Sequence, residues 1–193
     1  KQALKDNCRE IWLTSQDSSA YGRDMGTNLA ELVQTVSGME GKFFVRVGMM
    51  NPLHFKKFEL KKLVEAFKNE KVFKFLHLCV QSGSNKVLDE MRRGYTTEDF
   101  ISYVKIFREE IPEITLETDV IVGFPTETDK EFEQTVELLK ETKPSLVNVS
   151  KYGARPRTFS AKNYVPLASK IINERSKFLH SLVRKIGKEE NKK

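Results

Sequence analysis

Cysteine is nearly absent: Cys8 and Cys79 are the only two in 193 residues. Two thiols exclude a disulfide scaffold. They also cannot complete a four-thiolate zinc or iron–sulfur site by themselves. Their scarcity fits a cytosolic setting. No apolar run approaches the ~20 residues of a membrane span. Lys1 to Glu10 is polar with no apolar segment behind it, so no secretory signal is read there. Internal repeats and low-complexity tracts are missing as well. Neither charge dominates: 33 Lys and Arg face 27 Asp and Glu, a net charge of +6 that permits a nucleic-acid partner without requiring one. With 39% hydrophobic and 31% charged residues, the composition excludes disorder. An initiator methionine is lacking, and the opening KQALKDNC reads as the last turns of a helix. The expectation is a piece of a larger protein.

What is present is alternation. Short apolar runs at Glu10–Thr14, Phe43–Val47, Phe75–Val80, Ile114–Val122 and Leu146–Ser150 predict five strands, the first of them buried. Amphipathic stretches separate them. Thr27 starts the first main helix and Gly38 ends it; Leu60, Leu63, Val64 and Phe67 mark the second. Val87, Leu88 and Met91 mark a third, and Phe100 to Phe107 a fourth capped by Thr96 or Thr97. Thr128 and Glu131 form a capping box for a fifth. A basic helix begins at Ser169 and frays in GKEENKK. Repeated β-α units predict an α/β fold with a parallel sheet, doubly wound or barrel-like. In either, function collects beyond the carboxyl ends of the strands.

The unusual polar residues fall at those ends. The loop from Thr14 through Gln16 and Asp17 to Gly22 could hold a zwitterion, or simply turn the chain. Gln81-Ser82-Gly83-Ser84-Asn85 resembles a phosphate cradle without a P-loop lysine, and a cap-rich turn is the plainer reading. Arg92 and Arg93 either form a solvated face or grip an anion. Asp119, with Glu117 on the same face, interrupts an apolar strand and is costly there unless paired or aimed into a polar mouth. His77 reads as a satisfied core histidine and Cys79 as an inert buried thiol. Arg155 and Arg157, interleaved with Tyr152 and Phe159, suit phosphate contact and base stacking, or an ordinary surface loop.

In this order, EIWLTSQDSSAYGRDMGTNL, RVGMMNP, LHLCVQSGSNKVLDEMRRGYTTEDF, TDVIVGFPTETDKEFEQT, YGARPRTFSAK and VPLASKIINERSKFL resemble the radical S-adenosylmethionine methylthiotransferases. The likeness is to the archaeal and eukaryotic branch that modifies threonylcarbamoyladenosine (t6A) in tRNA. It implies a partial TIM-like barrel of parallel strands with outer helices, lacking its first strand, over residues 1–168. Residues 169–193 would form a basic helix leading to an RNA-binding domain. It also implies two [4Fe–4S] clusters, S-adenosylmethionine, an electron-donor protein and the t6A-bearing anticodon loop of tRNA as partners, in the cytoplasm. The family's chemistry is a 5′-deoxyadenosyl radical acting at C2 of the adenine, followed by sulfur and methyl insertion.

By the same resemblance Thr14, Gln16 and Asp17 would lie near the methionyl amino group, and Gln81, Ser82 and Arg93 near the ribose and carboxylate. Gly123 and Phe124 would admit the adenine, Asp119 would line the mouth, and Arg155 and Arg157 would face RNA. The cluster-ligating CxxxCxxC loop is not in these residues, so no cluster, no bound cofactor and no catalysis are expected of this stretch alone. The family usually has Pro at Cys79, Gly at Thr126 and Gly at Arg157. The rival reading is a non-catalytic α/β module that binds RNA or a nucleotide through the same loops.

Overall fold

The alternation yields five strands and eight α-helices among the described residues, 1–55 and 57–190, of a computed structural model. In chain order these are α1 (Gln2–Lys5), β1 (Glu10–Leu13), α2 (Leu29–Ser37), β2 (Phe44–Val47), α3 (Lys57–Phe67) and β3 (Phe75–His77). They continue with α4 (Asn85–Glu90), α5 (Thr97–Glu110), β4 (Thr115–Val122), α6 (Asp129–Thr142), β5 (Leu146–Lys151), α7 (Phe159–Asn163) and α8 (Ser169–Glu190). The chain divides into two units, Lys1–Leu78 with Ser102–Leu116, and Cys79–Ile101 with Glu117–Lys193.

In the first unit β1 pairs in parallel with β2, from Glu10 opposite Phe44 to Leu13 opposite Val47. Parallel bridges Val45–Val72 and Met50–Leu78 continue the pairing toward β3. Val33, Val45, Val47, Leu60, Phe67, Leu76 and Phe107 are buried together as its core. Phe67 and Phe107 meet edge to face at 5.4 Å. The helix expected from Thr27 begins one residue later: Asn28 is the N-cap, its side-chain oxygen accepting the Glu31 N–H at 3.0 Å. The first strand forms but is not buried, which corrects the sequence reading. Trp12 is 60% exposed because β1 has no second strand neighbour among the described residues.

In the second unit Gln81 bridges in parallel to Val120 of β4, its N–H donating to the Asp119 carbonyl at 2.8 Å. β4 pairs in parallel with β5, from Glu117 opposite Leu146 to Val122 opposite Lys151. Thr118, Val120 and Val122 point into the core, while Glu117, Asp119 and Ile121 share the half-exposed face, the period of two expected of a strand. Thr96 caps α5, its hydroxyl accepting the Asp99 N–H. The capping box of α6 forms, the Glu131 carboxylate accepting the Thr128 N–H at 2.9 Å. The basic C-terminal helix is α8, packed on β5 and α6 through Leu179 and Ile186. It stays helical to Glu190; the rest of the expected frayed end, residues 191–193, lies outside the described residues. All described pairings are parallel, helices flank the strands within each unit, and among the described residues no sheet closes on itself. No helix among the described residues is long and apolar enough to cross a membrane.

Candidate functional site

The turn that follows β3 organises the second unit. Gln81 takes a left-handed backbone, φ 69°, and is clamped against β4 by two main-chain bonds. Ser82 is fully buried, and its hydroxyl accepts the Ser84 N–H at 3.2 Å. Gly83 donates its N–H to Thr135 Oγ1 at 2.9 Å, and a Cβ there would lie 2.4 Å from Thr135 Cα. The turn thus rests directly on the α6 backbone and seats α4. Beyond α4, the Tyr95 hydroxyl donates to the carbonyls of Cys79 at 3.1 Å and Val80 at 3.0 Å, and burial pushes the phenol well above its ordinary range. Arg92 and Arg93 are held between these two anchors.

A cleft of 280 Å³ opens beside them, lined by Glu90, Arg93, Ile121, Phe124, Tyr152 and Phe159 among others. Phe124 stands edge to face with Tyr152 at 5.3 Å and with Tyr164 at 5.9 Å. Arg92 Cζ lies 4.4 Å over the Phe159 ring. In the cleft wall Arg93 Nε and Glu90 Oε2 are buried with no hydrogen-bond partner. An orphaned buried donor or acceptor is unfavourable until something completes it. One donor, one acceptor and aromatic walls match a ligand that carries an anionic group, a cationic group and a flat ring.

Asp119 lies two residues before the cleft-lining Ile121, on the same half-exposed face of β4. Its Oδ1 accepts from Asn148 Nδ2 at 2.8 Å, and its Oδ2 accepts the Cys79 thiol at 2.9 Å. Asn148 also donates to Glu117 at 2.9 Å. The carboxylate is therefore paired, and the buried Cys79 is its partner rather than an inert filler. Gly123 has φ 79°, and a Cβ on it would lie 2.6 Å from the Ile172 side chain of α8. Its N–H donates to Glu127 Oε1 at 3.0 Å, and that oxygen is 2.7 Å from Arg175 Nη1. Burial raises the Glu127 carboxyl above the usual carboxylate range. The turn carrying Gly123 and Phe124 is thus tied to α8. Arg155 and Arg157 are exposed in the loop between β5 and α7, Arg157 in a left-handed conformation, φ 70°.

The first unit holds the other three candidates. Thr14 lines a separate cleft of 250 Å³ with Trp12, Arg46, Gly48, Phe75 and His77. His77 faces this cleft, so the reading of a core histidine is corrected. Arg46 Cζ lies 4.9 Å from the Trp12 ring and 4.2 Å from that of Phe75. Asp17 is engaged in the turn: it accepts the N–H groups of Ser19 at 3.0 Å and Asn51 at 3.3 Å, and its other oxygen is 3.4 Å from His54 Nε2. Gln16 is exposed. The fold therefore collects Gln81, Ser82, Arg93, Asp119, Gly123 and Phe124 in one unit and leaves Thr14, Gln16 and Asp17 in the other. Arg46, Glu90, Glu127 and Arg175 were missed from sequence. Arg46, an arginine inside the run Phe-Val-Arg-Val, carried a readable signal; the other three look like ordinary helix and loop charges.

A family model, the Radical SAM superfamily, matches residues 1–139. The chain belongs to this superfamily. This radical SAM chain is 50% identical over 193 residues to a probable threonylcarbamoyladenosine tRNA methylthiotransferase of Pyrococcus horikoshii, covering 100% of this chain and 45% of that relative. It is 41% identical over 163 residues to the human threonylcarbamoyladenosine tRNA methylthiotransferase, covering 84% of this chain and 28% of the relative. The chain thus spans less than half the length of the curated relatives it matches. Its fold is similar to coproporphyrinogen III oxidase from Escherichia coli, a radical SAM enzyme, with TM-score 0.59 at 13% identity, covering 97% of this chain and 56% of that one.

Proposed function

We propose that this chain is the cofactor-binding core of a tRNA methylthiotransferase that converts N6-threonylcarbamoyladenosine to its 2-methylthio derivative. The observation that supports it is the cleft in which Arg93 and Phe124, 31 positions apart in sequence, share a wall with the orphaned Glu90 Oε2. Those residues fit S-adenosylmethionine, a zwitterion joined to an adenosine. Arg93 Nε would donate to the carboxylate and Glu90 Oε2 would accept from the ammonium. Ile121, Phe124 and Tyr152 would flank the adenine and keep water from it. Gly123 acts through its neighbour: without a Cβ the turn seats against Ile172 of α8, which sets Phe124 in the cleft wall, and the Asp119–Asn148–Cys79 cluster is assigned to the mouth. Ser82 acts by seating Gln81, the residue nearer the ribose; Thr14, Gln16 and Asp17 belong to the other unit and take no part in this reading. When bound, the cofactor supplies the adenosyl radical and the methyl group.

The residues present do not fit an iron–sulfur cluster. Cys8 and Cys79 are the only thiols, and Cys79 is buried as the donor to Asp119. Both clusters of the proposed enzyme need ligands from outside these 193 residues, and an electron-donor protein must reach them. The same reading sets the enzyme in the cytoplasm. The fold division of this reading, a core over 1–168 and a helix over 169–193 toward an RNA-binding domain, belongs to the same proposal.

Mass spectrometry of tRNA nucleosides tests it. The intact gene, placed in a host deleted for its own methylthiotransferase, is expected to restore the 2-methylthio form of t6A, and Arg93→Ala is expected to abolish it. RNA binding without any change in the nucleosides would favour the non-catalytic module instead.

A further inference from the structure

One stretch of this protein is cationic with no acidic residue in it. From Lys151 to Asn173 the sequence has five Lys and Arg and no Asp or Glu, a local net charge of +5. Lys151, Arg155, Arg157, Lys162 and Lys170 are all exposed. The guanidinium groups of Arg155 and Arg157 have no protein partner among the described residues. Arg157 keeps its long cationic side chain at a left-handed backbone position that favours glycine.

The same stretch carries an aromatic chain. Phe124 packs against Tyr152 and Tyr164, and Tyr164 against Phe159 at 5.9 Å. Phe159 stands at the outer end of this chain, at the N-terminus of α7 and 48% exposed, with Arg92 stacked on it. The Tyr152 hydroxyl, bonded to Ser160 Oγ at 2.9 Å, fixes α7 on the end of β5. A rigid, half-open ring bordered by unpaired arginines is suited to stack a base while the arginines neutralise its phosphates. A duplex offers no free base face, whereas an acidic protein or a membrane needs the charge but not the ring.

We propose that Phe159 and Arg92 form a stacking platform for one unpaired nucleotide of a single-stranded RNA loop, with Arg155, Arg157 and Lys162 on the adjoining phosphates. Which RNA carries the loop rests on the tRNA reading above; the platform itself does not.

Binding of the chain to an unmodified RNA hairpin, with 2-aminopurine in its loop and the matching duplex as control, tests this. The loop should bind in preference to the duplex and its fluorescence should be quenched. Phe159→Leu, which keeps an apolar side chain but no ring, should weaken binding roughly ten-fold and abolish the quench, while Phe159→Trp should retain both. Arg155→Gln and Arg157→Gln should each flatten the salt dependence by about 0.7 in log–log slope. Circular dichroism checks that each variant is folded. Equal binding of loop and duplex, wild-type affinity in Phe159→Leu, or tighter binding to phosphatidylserine vesicles than to RNA would each overturn the proposal. Loop binding and quench by the chain, with the intact gene failing to restore the 2-methylthio form of t6A, would sink the methylthiotransferase reading and leave the platform standing.

Discussion

Arg175 on α8 and Glu127, in the turn between β4 and α6, form an ion pair of 2.7 Å with both residues buried, 7% and 2% exposed. Arg175 also donates to the Glu127 carbonyl at 2.8 Å and to Asp129 at 2.8 Å. Through Glu127 this pair reaches the N–H of Gly123, so one helix controls the turn that borders the cleft. Removing one partner of a buried pair strands the other charge, at about 3–5 kcal/mol. Arg175→Met is expected to lose that much in urea unfolding. Glu127→Gln, which keeps an acceptor for Gly123 and leaves Arg175 its bonds to the residue 127 carbonyl and to Asp129, should lose far less. A wild-type unfolding midpoint for Arg175→Met would show that α8 is held by its apolar contacts alone.

The two buried glutamates near this turn should respond to pH in opposite senses. Burial raises Glu127, so its contribution is present below the ordinary glutamate value and lost as pH rises through the raised one. Hydrogen bonds from Thr128 hold Glu131 down at about 2, so its contribution is present above the ordinary value and lost as pH falls toward about 2. Thermal midpoints measured from neutral pH down to pH ~3 are expected to drop less steeply in Glu131→Gln than in wild type. Glu127→Gln should instead flatten the decline above the ordinary carboxylate range.

Gly83 has no room for a side chain, because a Cβ would meet Thr135 Cα at 2.4 Å and the Gln134 carbonyl at 2.5 Å. Both contacts are backbone of α6 and cannot swing aside. Gly83→Ala is expected to destabilise by about 1–3 kcal/mol, a typical overpacking penalty. Gly153 is the control, since a Cβ there would meet nothing within 4 Å, and Gly153→Ala should stay within about 0.5 kcal/mol of wild type. Denaturant titrations of the two variants compare them directly.

Trp12 is the single tryptophan, 60% exposed, with its indole N–H on Glu10 at 2.5 Å. Its fluorescence should be red-shifted and readily quenched by acrylamide, and should change little on unfolding. β1 offers an unpaired edge among the described residues, and such edges recruit other chains. Raising the protein concentration is expected to shift the emission to the blue and to increase the sedimentation coefficient, and Ile11→Lys should suppress both. An emission maximum already blue-shifted at low concentration would contradict this exposure of Trp12.

The order of strands and helices was legible in the sequence because it rests on short-range physics. The alternation in β4, the Leu60-to-Phe67 spacing of α3 and the Thr128–Glu131 cap all act within a few residues, where periodicity and local hydrogen bonds decide. Charge was legible too, since the run from Lys151 to Asn173 is a property of composition. The environment of each candidate was decided only by tertiary structure. Nothing near Asp17 in the chain shows that its carboxylate serves the N–H of Asn51, 34 residues away. Nothing near Glu127 announces Arg175, 48 residues on. The sequence placed Arg93 at a helix end and Phe124 at a strand end, but their common cleft depends on the parallel pairing of Gln81 with Val120. Burial and pairing are sums over neighbours brought together by the fold, and a linear pattern carries no information on which neighbours those are.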